Sequence, residues 1–193
     1  MKERICKIVN GVTVKKSLVA TAFFIVMLWL IDYSPIGVAG LLKVSGGVSI
    51  LDFETRYSAD FAYDWLTRMS DAGRDFHLTK VMPLDIIYPP SLALFMFMWS
   101  SLLAKKATRD NSVCRCLPVL SFVYLLLDWI ENAGITSMLI RFPERLDTIA
   151  VTTGWVTAVK KTVILCMIVI AIGECIHLLV KKMKGDNDAE IKG

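Results

Sequence analysis

Apolar residues gather along this chain in four runs, at 17–40, 83–104, 117–140 and 155–180, set apart by segments rich in charge. Each run is close to the roughly 20 residues that a helix needs to cross a bilayer. The pattern predicts an all-α integral membrane protein: a four-transmembrane-helix bundle forming a single membrane domain over 1–193. Tails at 1–16 and 181–193 and a long loop at 41–82 lie outside the spans. The first run also has the outline of a cleavable signal peptide, with a basic lead-in, the apolar core "LVATAFFIVMLWLI" and the small residues Gly37 and Ala39. Its lead-in is long for that layout, and the run reads as a retained span.

Loop 41–82 carries its own pattern. Gly46-Gly47 marks a turn. Ser58 suits a helix N-cap, Asp60 its positive first turn and Gly73 its stop, which predicts a helix over about 59–72. Phe61, Trp65, Leu66 and Met69 share one face of it, and Asp64, Arg68 and Asp71 the other. Such an amphipathic helix would lie on the membrane surface or cap the bundle. In span two, "PLDIIYPPSLALF" places Pro89-Pro90 after Tyr88. Two missing backbone donors and a disfavoured helical geometry at Tyr88 predict a kink there.

Composition and charge add a class and an orientation. Hydrophobic residues make up 55% of the chain, above the roughly 45–50% of a soluble domain. The tails and the 105–116 connection carry thirteen basic and five acidic residues, against seven and eight in 41–82 and 141–154. By the positive-inside rule both termini are cytoplasmic, and 41–82 is the first outer loop. The net charge of +4 is therefore a matter of membrane orientation. Its short juxtamembrane clusters form no nucleic-acid patch. None of the five cysteines falls in an outer loop, which excludes an external disulfide framework for the monomer. Cys6, Cys114 and Cys116 read as ordinary cytoplasmic thiols, with acylation at Cys114-Arg115-Cys116 the sharper alternative. Two histidines and a Cys-x-Cys without partners at ligand spacing predict neither metal nor cofactor. A bacterial inner membrane and a eukaryotic endomembrane fit equally.

The candidate chemistry is intramembrane. At about 1.5 Å per residue, Asp32 falls in the outer half of span one and Asp85 at the outer mouth of span two. Asp128 falls near the midplane of span three, with Glu131 and Asn132 one turn further out on the same face. Lys160 and Lys161 enter at matching depth from span four. Ionisable groups in a bilayer are costly and face an interior or a cavity. Their convergence predicts an outward-opening polar pocket to which Tyr88 and Trp129 add hydrogen bonds and aromatic surface. The alternative is an internal network that fixes helix register.

An Asp ending span one ("LWLIDYS"), a helical outer loop ("YSADFAYDWLTRM") and an acid before a Pro kink ("LDIIYPPSL") together resemble the EXPERA-type four-helix membrane proteins. That family includes sterol isomerases and the sigma-2 receptor. The resemblance implies a pocket for a sterol-like or cationic amphiphilic ligand entered from the bilayer, with Asp32 and Asp85 as its acidic groups. The "DWIENAG" of span three and Lys160-Lys161 depart from that pattern. Isomerase chemistry also needs placed proton donors and acceptors, and neither His77 nor His177 falls clearly in the pocket. Three functions stay open: binding of a lipid or amphiphile, a proton or ion pathway that would need a homodimer, and a scaffold docked through the outer helix. No nucleophile elbow or phosphate loop supports a soluble enzyme.

Overall fold

Among the described residues, four helices are long and apolar enough to cross a membrane. The computed structural model describes residues 9, 11–106 and 112–190, apart from the side chains of 104, 106, 112–117 and 181–190. Cys6, the side chains of Cys114 and Cys116, most of the N-terminal tail and residues 191–193 therefore lie outside the described residues. Within them the chain is helical, without a strand: α1 Val14–Asp32, α2 Val38–Val44, α3 Ala59–Arg68, α4 Asp71–Phe76, α5 Met82–Lys106, α6 Ser112–Arg141 and α7 Asp147–Glu190.

The helix boundaries differ from the sequence reading at several points, and three of these differences shape the layout. The first long helix stops at Asp32 and does not run to 40, since Pro35 disfavours helical backbone at Ser34. Ser34 Oγ then donates to the Leu30 carbonyl at 2.5 Å. The loop helix ends at Arg68, because Ser70 caps a new helix by accepting from Gly73 N–H at 3.1 Å. Gly73 is consequently no stop. It sits in the first turn of α4, where a Cβ would come within 2.8 Å of Met69 and 3.0 Å of Ser45.

The third difference concerns span two. α4 passes through one π-helical turn, His77–Val81, directly into α5, so the spanning helix begins at Asp71. Within α5 the helix continues through Pro89 and Pro90. The irregular turn thus lies well before the prolines and not at Tyr88.

Packing follows chain order. α1 packs mainly on α5, α5 on α6 and α6 on α7. The main core lies at one end, the capped end, where α2, α3 and α4 close over the long helices. Leu41, Leu51, Tyr57, Trp65, Leu66 and Met138 are buried there. Lipid tails are as apolar as Leu, so helices in a bilayer gain little from hydrophobic burial against one another. A water-excluding cap is where burial can still contribute. Trp65 Nε1 donates to the Ser49 carbonyl at 2.6 Å, and Arg145 joins Asp60 of α3 at 2.6 Å and Asp147 at 2.9 Å. Two glycines set close approach: a Cβ on Gly134 would lie 2.0 Å from Thr153 Oγ1, and one on Gly154 2.3 Å from the Tyr57 carbonyl. At Gly134 the Thr153 side chain of α7 packs directly on the α6 backbone, and at Gly154 the Tyr57 backbone packs directly on α7.

Candidate functional site

On α6, Tyr124, Asp128, Glu131, Asn132 and Ile135 fall on one helical face, and all are buried. α7 answers with Thr153, Thr157 and Lys160 at helical spacing, also buried. The Lys160 ammonium stands 2.9 Å from Asp128 Oδ1 and 3.1 Å from Asp52 Oδ2, and it pairs directly with Glu131. The other Glu131 oxygen accepts from Thr157 Oγ1 at 2.6 Å. Carboxylate oxygens of Asp52, Asp128 and Glu131 come within 4.8 Å of one another, the spacing of a cation-ligand set. The protein's own ammonium takes that cation's place.

Asn132 extends the network toward span two. Its Nδ2 donates to Asp128 Oδ2 at 3.2 Å and to the Asp85 carbonyl at 3.0 Å. Both neighbours are pure acceptors, which sets the amide's orientation. Its Oδ1 is left buried without a partner.

The Asp85 contact has a backbone cause. In an α-helix the N–H of residue i bonds the carbonyl of residue i−4. Pro89 and Pro90 have no N–H, so the carbonyls of Asp85 and Ile86 lose their partners. Asn132 Nδ2 takes the first and Trp129 Nε1 the second, at 3.3 Å. "DWIEN" of α6 thereby completes the backbone of α5, as non-helical valence inside a membrane requires.

Of the predicted site residues, the structure brings Asp128, Glu131, Asn132 and Lys160 into one network, with Asp85 beside it. Asp85 is buried within electrostatic reach of Asp52, Asp128, Glu131 and Lys160. Among the described residues its carboxylate has no hydrogen-bond or ion-pair partner. Lys161 turns away and donates to the Glu54 carbonyl at 2.6 Å, outside the cluster. Asp32 ends α1, half-buried and without an ion pair among the described residues. Span one therefore adds no wall to the charge network. Tyr88 is half-buried between the two, its ring 6.1 Å from that of Phe24.

Sequence reasoning missed Asp52 and Thr157. Asp52 lies on a single 3-10 turn, Leu51–Phe53, far from any span in sequence. The one available signal was an acid enclosed by apolar neighbours in "ILDF". With Leu51 fully buried beneath it, this turn closes the cluster from the loop side. This turn covers the network on the side where the sequence predicts an outward-opening mouth, with Asp52 itself partly exposed at the rim. Tyr57, also on that segment, lies beside Thr157, yet its hydroxyl is buried with no partner of normal geometry. Burial pushes its phenol well above the ordinary range, so it stays neutral.

Space also opens sideways. A groove of about 530 Å³ lies between α5 and α6, lined by Leu78, Met82, Ile86, Trp129, Asn132 and Thr136. Among its polar lining residues, Asn132 is the one that bridges the Asp85 carbonyl to Asp128.

Two stability predictions follow from these contacts. Lys160→Met strands buried carboxylates and should cost about 3–5 kcal/mol, whereas Asp52→Asn, at the partly exposed rim, should cost about 1 kcal/mol or less. Thermal unfolding in detergent orders the two, and an equal or reversed order refutes the assignment. Asn132→Leu should cost about 1–3 kcal/mol. In a Pro89→Ala background the restored N–H can serve the Asp85 carbonyl, so the cost should fall by about 1 kcal/mol. Strict additivity in that cycle would rule out the shared carbonyl.

No protein-family model, curated protein or solved structure matches the chain, and the site's chemistry is read from its own geometry.

Proposed function

We propose that the chain is a multi-pass membrane protein that binds a cationic amphiphile at the Asp85 side of the carboxylate–lysine network, entered laterally through the groove between α5 and α6. One observation carries the reading: three carboxyl groups, Asp52, Asp128 and Glu131, share one ammonium, and the buried Asp85 beside them has no side-chain partner among the described residues. A buried carboxylate is stable only when paired, hydrogen-bonded or neutralised. A ligand ammonium supplies that pairing, and the low local dielectric strengthens it. The ligand's apolar body would lie on Leu78, Met82, Ile86 and Trp129. The buried, unpartnered Asn132 carbonyl would accept from the ligand's N–H if the groove widens. The EXPERA resemblance supports the same class of ligand, with Asp32 and Asp85 as its acidic groups, and of the two Asp85 stands beside the network while Asp32 stands one span away.

The test is photocrosslinking of the full chain in nanodiscs with a diazirine-bearing long-chain alkylamine, with the matching alcohol as control. The amine should label 78–86 and 129–136, and Asp85→Asn should reduce labelling at least about tenfold while unfolding stays cooperative. Equal labelling by the alcohol, or of the Asp85→Asn protein, overturns the reading.

A second reading, a proton pathway, has one observation in its favour. Asp128, Tyr124 and Ser121 stand on successive turns of one α6 face, all buried, and Glu174 is buried in the far half of α7. Such polar files serve proton relays. Proteoliposomes loaded with a pH dye should then show flux that Glu131→Gln abolishes, and liposomes that stay tight under an imposed gradient exclude it.

A further inference from the structure

At the end of the molecule opposite the cap, a second groove of about 440 Å³ runs between α1 and α5. Its walls are Val19 and Phe23 of α1 and Leu94 and Met98 of α5, and its mouth is formed by Lys15 and Lys16. The lining is almost wholly apolar, Lys15 and Lys16 contributing chiefly their alkyl stems. Both lysines are exposed, and among the described residues neither meets a carboxylate. Lys16 Nζ spends one proton on the Gly11 carbonyl at 3.0 Å. Lys105 of α5 reaches the neighbouring Val12 carbonyl, which brings a third ammonium to the same place. This is also the start of α1, whose first-turn N–H groups give that helix end a partial positive charge.

An apolar channel between two spans that ends in two exposed lysines, neither of which meets a carboxylate among the described residues, has the two-part chemistry of one class of molecule. We infer that this groove is a binding site for an anionic phospholipid, with an acyl chain along Val19, Phe23, Leu94 and Met98 and its phosphate at Lys15 and Lys16. Free inorganic phosphate satisfies only the lysines, and a zwitterionic lipid carries an ammonium that the lysines repel. Basic pockets between spans hold anionic headgroups in this way, each nearby lysine adding to the attraction. The site is independent of the carboxylate network, which lies at the capped end, and does not rest on the function proposed for it.

Native mass spectrometry of the full chain, released from detergent with equimolar phosphatidylglycerol and phosphatidylcholine, tests the site. The wild type should retain phosphatidylglycerol in preference, and Lys15→Gln/Lys16→Gln should reduce that preference roughly tenfold. Both substituted positions are exposed, so folding is not at stake. Val19→Trp, which fills the groove from an exposed position, should lower retention of both lipids alike. Inorganic phosphate should displace neither. The control Lys43→Gln/Lys80→Gln should change nothing. Equal retention of the two lipids by the wild type, an unchanged preference in Lys15→Gln/Lys16→Gln, displacement by inorganic phosphate, or an equal loss in the control would each overturn the inference.

Discussion

A single buried ammonium organises this molecule. Lys160 is held at once by Asp52 from the loop turn and by Asp128 and Glu131 from α6, so three parts of the chain distant in sequence meet at one atom. None of these charges would be stable there alone. The cost of desolvating an ion is recovered only when partners and hydrogen bonds surround it, and Thr157 and Asn132 supply the hydrogen bonds. In a medium that gives packed helices no hydrophobic advantage over lipid, such directional contacts define which faces of α6 and α7 meet. Lys161 reinforces the arrangement from outside by holding Glu54 of the same loop segment.

The span-two prolines and the polar centre of span three look like separate anomalies and are one device. Pro89 and Pro90 remove two donors from α5, and Trp129 and Asn132 replace them from α6. Each helix is incomplete without its neighbour. The arrangement brings Asp85 beside Asp128 and leaves a groove where the two helices part. Backbone repair, charge pairing and access from the membrane therefore converge on the same few turns.

What could be read in advance divides along physical lines. Asp128, Glu131 and Asn132 fall on one face by helical spacing alone, and topology puts Lys160 and Lys161 at their depth. The choice between those two lysines could not be read. α7 is apolar nearly all round, and adjacent residues point about 100° apart on a helix of 3.6 residues per turn; only packing against α6 tells which one turns inward. Asp52 was invisible for a related reason. A loop residue has no periodicity to betray its burial, and its place depends on Leu51 and Tyr57 docking beneath the cap. Asp32 misled in the opposite direction: it has the right depth, but α1 packs mainly on α5 and never faces the network.

The sequence by itself determined that there are four membrane-length apolar helices, because span length and hydropathy are local properties set by bilayer thickness and the need to satisfy backbone polar groups. It also determined that charge must be buried in one half of them. Tertiary structure alone decided that the loop closes over the charges, which carboxylates share the single ammonium, and which one is left over. Those outcomes depend on distances between residues up to 108 positions apart, and no local pattern carries that information.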